Sequence, residues 1–132
     1  MAIRIVRLGS PRSPAEGVRL GTVRRPPRGV PKRKFAQRDF YDIWLPELAP
    51  SDALLKSAKT TETEADWQRF RRRFRTELSK PPGSRILDLL AALSHQVDFS
   101  LGCYCEAEDR CHRSVLRELL GERQAALYPQ IG

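Results

Sequence analysis

All three cysteines of the chain, Cys103, Cys105 and Cys111, fall within nine positions, and the last is followed directly by His112, Arg113 and Ser114. Three kinds of chemistry suit these residue types. The first is anion binding. The opening turn of a helix leaves backbone N–H groups unpaired, and the helix dipole adds positive potential there. Arg110, Arg113 and Ser114 would supplement such a site, His112 would orient the anion or move a proton, and Arg24 or Arg28 could approach from a neighbouring strand end. The competing reading pairs Arg113 and His112 with Glu106, Glu108 or Asp109 in a local network. The second is thiol chemistry. A helix start lowers a thiol pKa, which marks Cys111, and also Cys105 if the loop folds back. A cysteine-phosphatase loop is excluded: counted from Cys105, the position that must be arginine is Cys111, and the loop has no glycine. The third is metal binding, since Cys103, Cys105, Cys111 and His112 offer sulfur and nitrogen ligands. Adjacent helical side chains diverge by about 100°, however, which sets Cys111 against His112 as partners on one ion. Cys103 also alternates onto the core face, so no metal is expected here, a structural site being the alternative, and no cofactor is expected either. Cys111 and His112 are the candidate catalytic pair, and Cys105 the candidate reactive thiol.

Positioning these residues requires a strand and a helix. Residues 97–103 alternate, with Val97, Phe99, Leu101 and Cys103 on one face, as a strand requires. Tyr104 to Asp109 is a polar loop. A helix is expected near Arg110, capped by Asp109, because Val115, Leu116, Leu119 and Leu120 then form one apolar face. Upstream, residues 3–8 and 18–23 read as strands, the second interrupted by Gly21. Phe40 to Leu45 is a third short strand or an irregular buried segment. Ser51 caps a short helix through about Lys59. Thr61 with Glu64 fits a capping box for a helix over 64–79, where Trp67, Phe70, Phe74 and Leu78 form a stripe and the arginines lie mostly elsewhere. The run Lys80-Pro81-Pro82-Gly83 stops it. A further helix over 84–94 is expected to pack Ile86, Leu89, Leu90 and Leu93. The tail from Gly121 carries little signal, while His95 sits where it can cap helical carbonyls. Strands alternating with helices predict an α/β fold, a short partly parallel sheet flanked by helices, with ligands beyond the carboxyl ends of strands.

The 132 residues make one domain with a core that needs no disulfide staples. No apolar run is long enough for a membrane span, and the charged N-terminus does not fit a signal peptide. An odd cysteine count precludes a complete intrachain disulfide framework, so a reduced, cytoplasmic setting is expected. The net charge of +8 is uneven: residues 1–38 hold eleven Lys/Arg and one acid, Glu16, while the rest hold thirteen basic and fifteen acidic residues. Such a field attracts phosphates, nucleic acid or acidic surfaces. Residues 24–38 concentrate it in a Pro/Arg-rich segment unsuited to regular structure.

Two stretches resemble the bacterial DUF488 family, including its YeaO-like branch. The first joins Pro27-Arg28-Gly29-Val30 to Trp44-Leu45-Pro46-Glu47-Leu48-Ala49-Pro50-Ser51, and with it goes residues 67–78. The second is Cys103 followed by Cys111-His112-Arg113-Ser114, similar to the family's Cys-His-Arg signature. Where the YeaO-like branch usually carries Asp-Arg-Leu-Trp-Pro-Arg-Gly, this chain reads Val23-Arg24-Arg25-Pro26-Pro27-Arg28-Gly29, without the acid and the tryptophan. The resemblance implies an α/β domain and a shared pocket, and it implies no reaction. The leading expectation is therefore a phosphate- or carboxylate-bearing ligand held at the Cys-His-Arg junction. The alternative is a nucleic-acid-binding accessory protein that uses the basic N-terminal third.

Overall fold

A computed structural model describes residues 2–58 and 62–129. Four strands form one sheet in the order β1-β4-β2-β3, with β1 Ile3–Arg7, β2 Val18–Gly21, β3 Ile43–Trp44 and β4 Phe99–Cys103. Every pairing is parallel, which makes this an α/β domain as expected. The inner strand β4 is buried along its whole length, as befits a parallel strand covered on both faces. Val97 is excluded from it and remains exposed.

The two faces are covered differently. Ile3, Leu20, Phe99 and Leu101 share the main core with four helices: α1 Asp52–Ala58, α2 Glu64–Leu78, α3 Gly83–Leu93 and α4 His112–Glu122. On the opposite face Arg19 and Ser100 meet loops instead. Arg19 holds Glu16 and the carbonyls of Ser10 and Asp39, and Ser100 donates to Glu16. Gly17 lets these strands approach: it has φ +75°, and a Cβ there would stand 2.0 Å from the Asp98 carbonyl oxygen.

The helices start where side chains close them. Ser51 Oγ accepts from Leu54 N, as the sequence indicates. Thr63 and Asp66 form the capping box of α2; the expected Thr61 cap, like Lys59, lies outside the described residues. The stripe of Trp67, Phe70, Phe74 and Leu78 is buried. The expected face of α3 is corrected. Gly83, Leu87, Leu90 and Ala91 are buried, whereas Leu89 and Leu93 are exposed and Ile86 only flanks the core. The tail also does more than its sequence suggests. Ile3 N donates to Ala126 O and Tyr128 N to Ile3 O, each at 2.9 Å, so Leu127 bridges the free edge of β1. The segment over 24–38 is loop apart from a short 3-10 turn at Lys32–Lys34.

Candidate functional site

Strand β4 delivers Cys103 to its carboxyl end, and the loop returns to start α4 beside it. The cap of α4 is Cys111, with extended backbone at φ −111° and ψ 152°, and not Asp109 two residues earlier. Burial of Val115, Leu116, Leu119 and Leu120 fixes the helix against the core, so its first turn is held rigidly. His112 Nε2 lies 2.6 Å from the Thr22 carbonyl oxygen, and the ring packs edge-on against Phe74 at 5.7 Å. Arg113 is buried. Its Nε donates to Cys111 Sγ at 3.4 Å and its Nη2 to Cys105 O at 2.8 Å. Two of the carboxylates that the competing reading offers them are directed elsewhere, Glu106 to Arg7 and Glu108 to Arg117, and Asp109 forms no ion pair with either residue.

The extended cap also removes the geometric objection to Cys111 and His112 acting together. The divergence of neighbouring helical side chains does not apply when one of them is outside the helix. Cys111 Sγ is 3.8 Å from His112 Nδ1, and Cys103 Sγ is 3.8 Å from Cys105 Sγ. The ligating atoms of Cys103, Cys111 and His112 all lie within 4.8 Å of one another. All three cysteines are free thiols; Cys103 and Cys111 are buried and Cys105 is exposed.

The cluster polarises its sulfurs unequally. Hydrogen bonds from Cys103 and Cys105, and then the Arg113 backbone N–H and guanidinium charge, hold the Cys111 thiol below its ordinary value despite burial. The bonds to Cys105 and Cys111, followed by burial, push Cys103 up. For Cys105 the bond with Cys103 pulls down, but Cys111 and burial outweigh it and the thiol is raised. Burial lowers His112 to about 4 against the opposing pull of Thr22, so the imidazole is neutral near pH 7. A neutral ring whose Nε2 faces a carbonyl carries its proton on Nε2, because the carbonyl only accepts. Its Nδ1 lone pair then faces the sulfurs.

A cavity of about 840 Å³ lies alongside this cluster. Arg4 and Arg7 of β1, Glu108 and Asp109 of the loop, and Arg113 and Arg117 of α4 contribute to its wall. Arg113 is thus shared between cluster and cavity. The Arg4 guanidinium stacks on Tyr128 at 4.2 Å and makes no hydrogen bond or ion pair among the described residues; its Nε is buried without a partner. The sequence reading missed Arg4. The signal was its position between Ile3 and Ile5, which forces it onto the face opposite the apolar core.

The other residues singled out in the sequence do not converge here. Ser114 Oγ donates to Cys111 O at 2.8 Å and so closes the first turn. Arg110 is exposed and pairs with Glu64 at 2.6 Å. Arg24 donates to the carbonyls of Pro50 and Ala49, both at 3.0 Å, tying its loop to the turn before α1. Arg28 is exposed in its loop and makes no hydrogen bond or ion pair with the cluster. His95 contacts Gln124 O at 2.9 Å, which makes it a tail anchor.

No curated protein and no solved structure matches the chain. No helix among the described residues is long and apolar enough to cross a membrane. The family model DUF488-N3a, described as the active DUF488-N3 subclade, matches residues 3–124. With the Cys-His-Arg junction inside that span and the parallel α/β domain around it, the chain belongs to the DUF488 family.

Proposed function

We propose that this domain binds a small molecule bearing a phosphate or carboxylate in the cavity beside the Cys/His cluster. The observation that carries this reading is Arg4, a cation on the cavity wall with no anionic partner among the described residues. Leaving a buried guanidinium N–H unpaired costs about 1–3 kcal/mol or more, and a ligand oxygen that reaches the group relieves part of it. Arg113 supports the reading from the other side. Its Nε and Nη2 are committed to Cys111 and Cys105, while Nη1 has no hydrogen-bond partner among the described residues. A planar guanidinium of this kind suits carboxylate and phosphate oxygens. Cys111 and His112 act through Arg113 in this scheme, because neither lines the cavity.

A second reading rests on a separate observation. Lys32, Arg33 and Lys34 are exposed on one short turn and form no ion pair among the described residues, which suits contact with a nucleic-acid backbone. One experiment separates the two. Thermal stability is followed against inorganic phosphate and citrate, and duplex DNA binding against salt. Cavity binding predicts stabilisation by the anions that disappears in Arg4→Met and persists when Lys32, Arg33 and Lys34 are changed to Ala. Backbone binding predicts the reverse, with affinity falling steeply as salt rises. If neither set of changes alters any binding, both readings fail.

A further inference from the structure

We propose that Cys103, Cys105, Cys111 and His112 form a tetrahedral zinc site that joins the end of β4 to the start of α4. The inference goes beyond the anion cavity and does not depend on it. Zinc binds thiolate sulfur at about 2.3 Å and imidazole nitrogen at about 2.0–2.1 Å, so tetrahedral neighbours stand roughly 3.8 Å apart for two sulfurs and 3.6 Å for sulfur and nitrogen. The chain places Cys103 Sγ and Cys105 Sγ at 3.8 Å, and Cys111 Sγ and His112 Nδ1 also at 3.8 Å. The ligating atoms of Cys103, Cys111 and His112 already lie within 4.8 Å of one another, and Cys105 adjoins this set through its contact with Cys103.

The imidazole supplies an independent observation. Its Nε2 is 2.6 Å from the Thr22 carbonyl oxygen, which fixes the Nε2–H tautomer and turns the Nδ1 lone pair toward the sulfurs. A ligating histidine that donates its other N–H to a backbone carbonyl is the usual outer-shell arrangement of a zinc site. Charge agrees as well. Three thiolates around a divalent ion leave one net negative charge, and the Arg113 Nε–H points at Cys111 Sγ from 3.4 Å. Soft sulfur donors in a tetrahedral set favour zinc over oxygen-preferring cations. With four protein ligands the site is closed, hence structural. It would pin the loop that carries Glu108 and Asp109, and so fix that wall of the cavity.

The test uses the full chain purified without chelator. Elemental mass spectrometry is expected to find zinc equimolar with protein. Replacement by cobalt is expected to give the visible d–d bands of a tetrahedral ion with a sulfur-to-cobalt charge-transfer band. Because Cys105 is exposed, Cys105→Ser keeps the fold, which circular dichroism checks. In it the charge-transfer intensity should drop, and zinc affinity should fall by more than the roughly 10–100-fold typical of losing an outer-shell partner. A folded protein without zinc, whose three thiols react equally fast with and without added zinc, overturns the proposal. A cobalt spectrum unchanged by Cys105→Ser overturns the four-ligand assignment.

Discussion

Glu16 and Arg19 form the most deeply buried ion pair among the described residues. Arg19 has no solvent exposure, and its Nε and Nη2 grip the Glu16 carboxylate at 2.6 and 3.0 Å while Ser100 donates to the same group at 2.6 Å. Burial alone would raise the Glu16 pKa, but the bonds from Arg19, Ser100 and Ser13 outweigh it and hold it below 4.5. Asp42 is lowered in the same way, its burial being overcome by Arg12 and the Arg19 backbone N–H. A carboxyl depressed in the folded state contributes stability that is complete above its unfolded pKa and is lost as pH falls through the folded value. Melting temperature should thus be level with respect to these groups above pH 4.5, the ordinary Glu value, and decline below it. Glu16→Gln should remove part of that acid dependence and cost about 3–5 kcal/mol near neutrality, because Arg19 is left charged and buried. Melting curves of both proteins across pH check this; an unchanged acid limb in the variant would contradict it. Glu16 stood out in the sequence as the sole acid of the basic third, yet its partner did not. The pair exists because β2 turns Arg19 away from the helices, and strand direction is not written at either residue. The Cys/His cluster was legible for the opposite reason: its members are neighbours in the chain. What escaped was their mutual geometry, which depends on one cap residue being extended.

Elements were most legible where one apolar face dominates. In α2 the aromatic stripe admits only one orientation, and Phe74 at its centre is fully buried. Phe74 also braces the His112 ring at 5.7 Å. Phe74→Ala should therefore cost about 3–5 kcal/mol in urea unfolding, since the cavity it leaves lies among helices that cannot collapse onto it. In α3 two faces compete. One carries Ile86, Leu89 and Leu93, the other Gly83, Leu87, Leu90 and Ala91, and leucine periodicity favours neither clearly. Close approach decides: a Cβ on Gly83 would lie 2.8 Å from Leu78 Cδ2, so the small-residue face is the one that fits against α2. Counting apolar residues cannot choose between the two sides, because packing there selects for absence of volume. Gly17 shows the same demand at a strand start. Gly17→Ala should destabilise by at least about 1–2 kcal/mol, the penalty of positive φ for an L-residue, with the clash against Asp98 O added. Denaturant midpoints of wild type and variant measure it, and equal midpoints would refute the close approach.

At the scale of the whole molecule, the charge segregation read from the sequence is largely consumed by the fold. The acids that balance the basic third come from later in the chain: Asp39 and Asp42 meet Arg12, Asp52 meets Arg25, and Glu106 meets Arg7. Arg19 is buried with Glu16, and Arg24 is spent on backbone carbonyls. Arg4 faces the cavity, which leaves Arg28, Lys32, Arg33, Lys34 and Arg38 as the cations of that third's outer surface that form no ion pair among the described residues. A sequence sum cannot anticipate this, because it counts charges and not which of them fold together. The consequence is quantitative. Each phosphate neutralised on duplex DNA contributes about −0.9 to the slope of log affinity against log salt. Were all eleven basic residues of the segment engaged, the slope would approach about −10; the exposed set supports at most about −4 to −5. On the nucleic-acid reading proposed above, changing Lys32, Arg33 and Lys34 to Ala should bring it to about −2, with the loss the same on every DNA sequence because backbone contacts carry no sequence information. Fluorescence anisotropy with unrelated duplexes over a salt series measures both quantities. A slope steeper than the exposed set allows would mean that the internal ion pairs open on binding, and the cavity arginines would then have to be counted among the phosphate contacts.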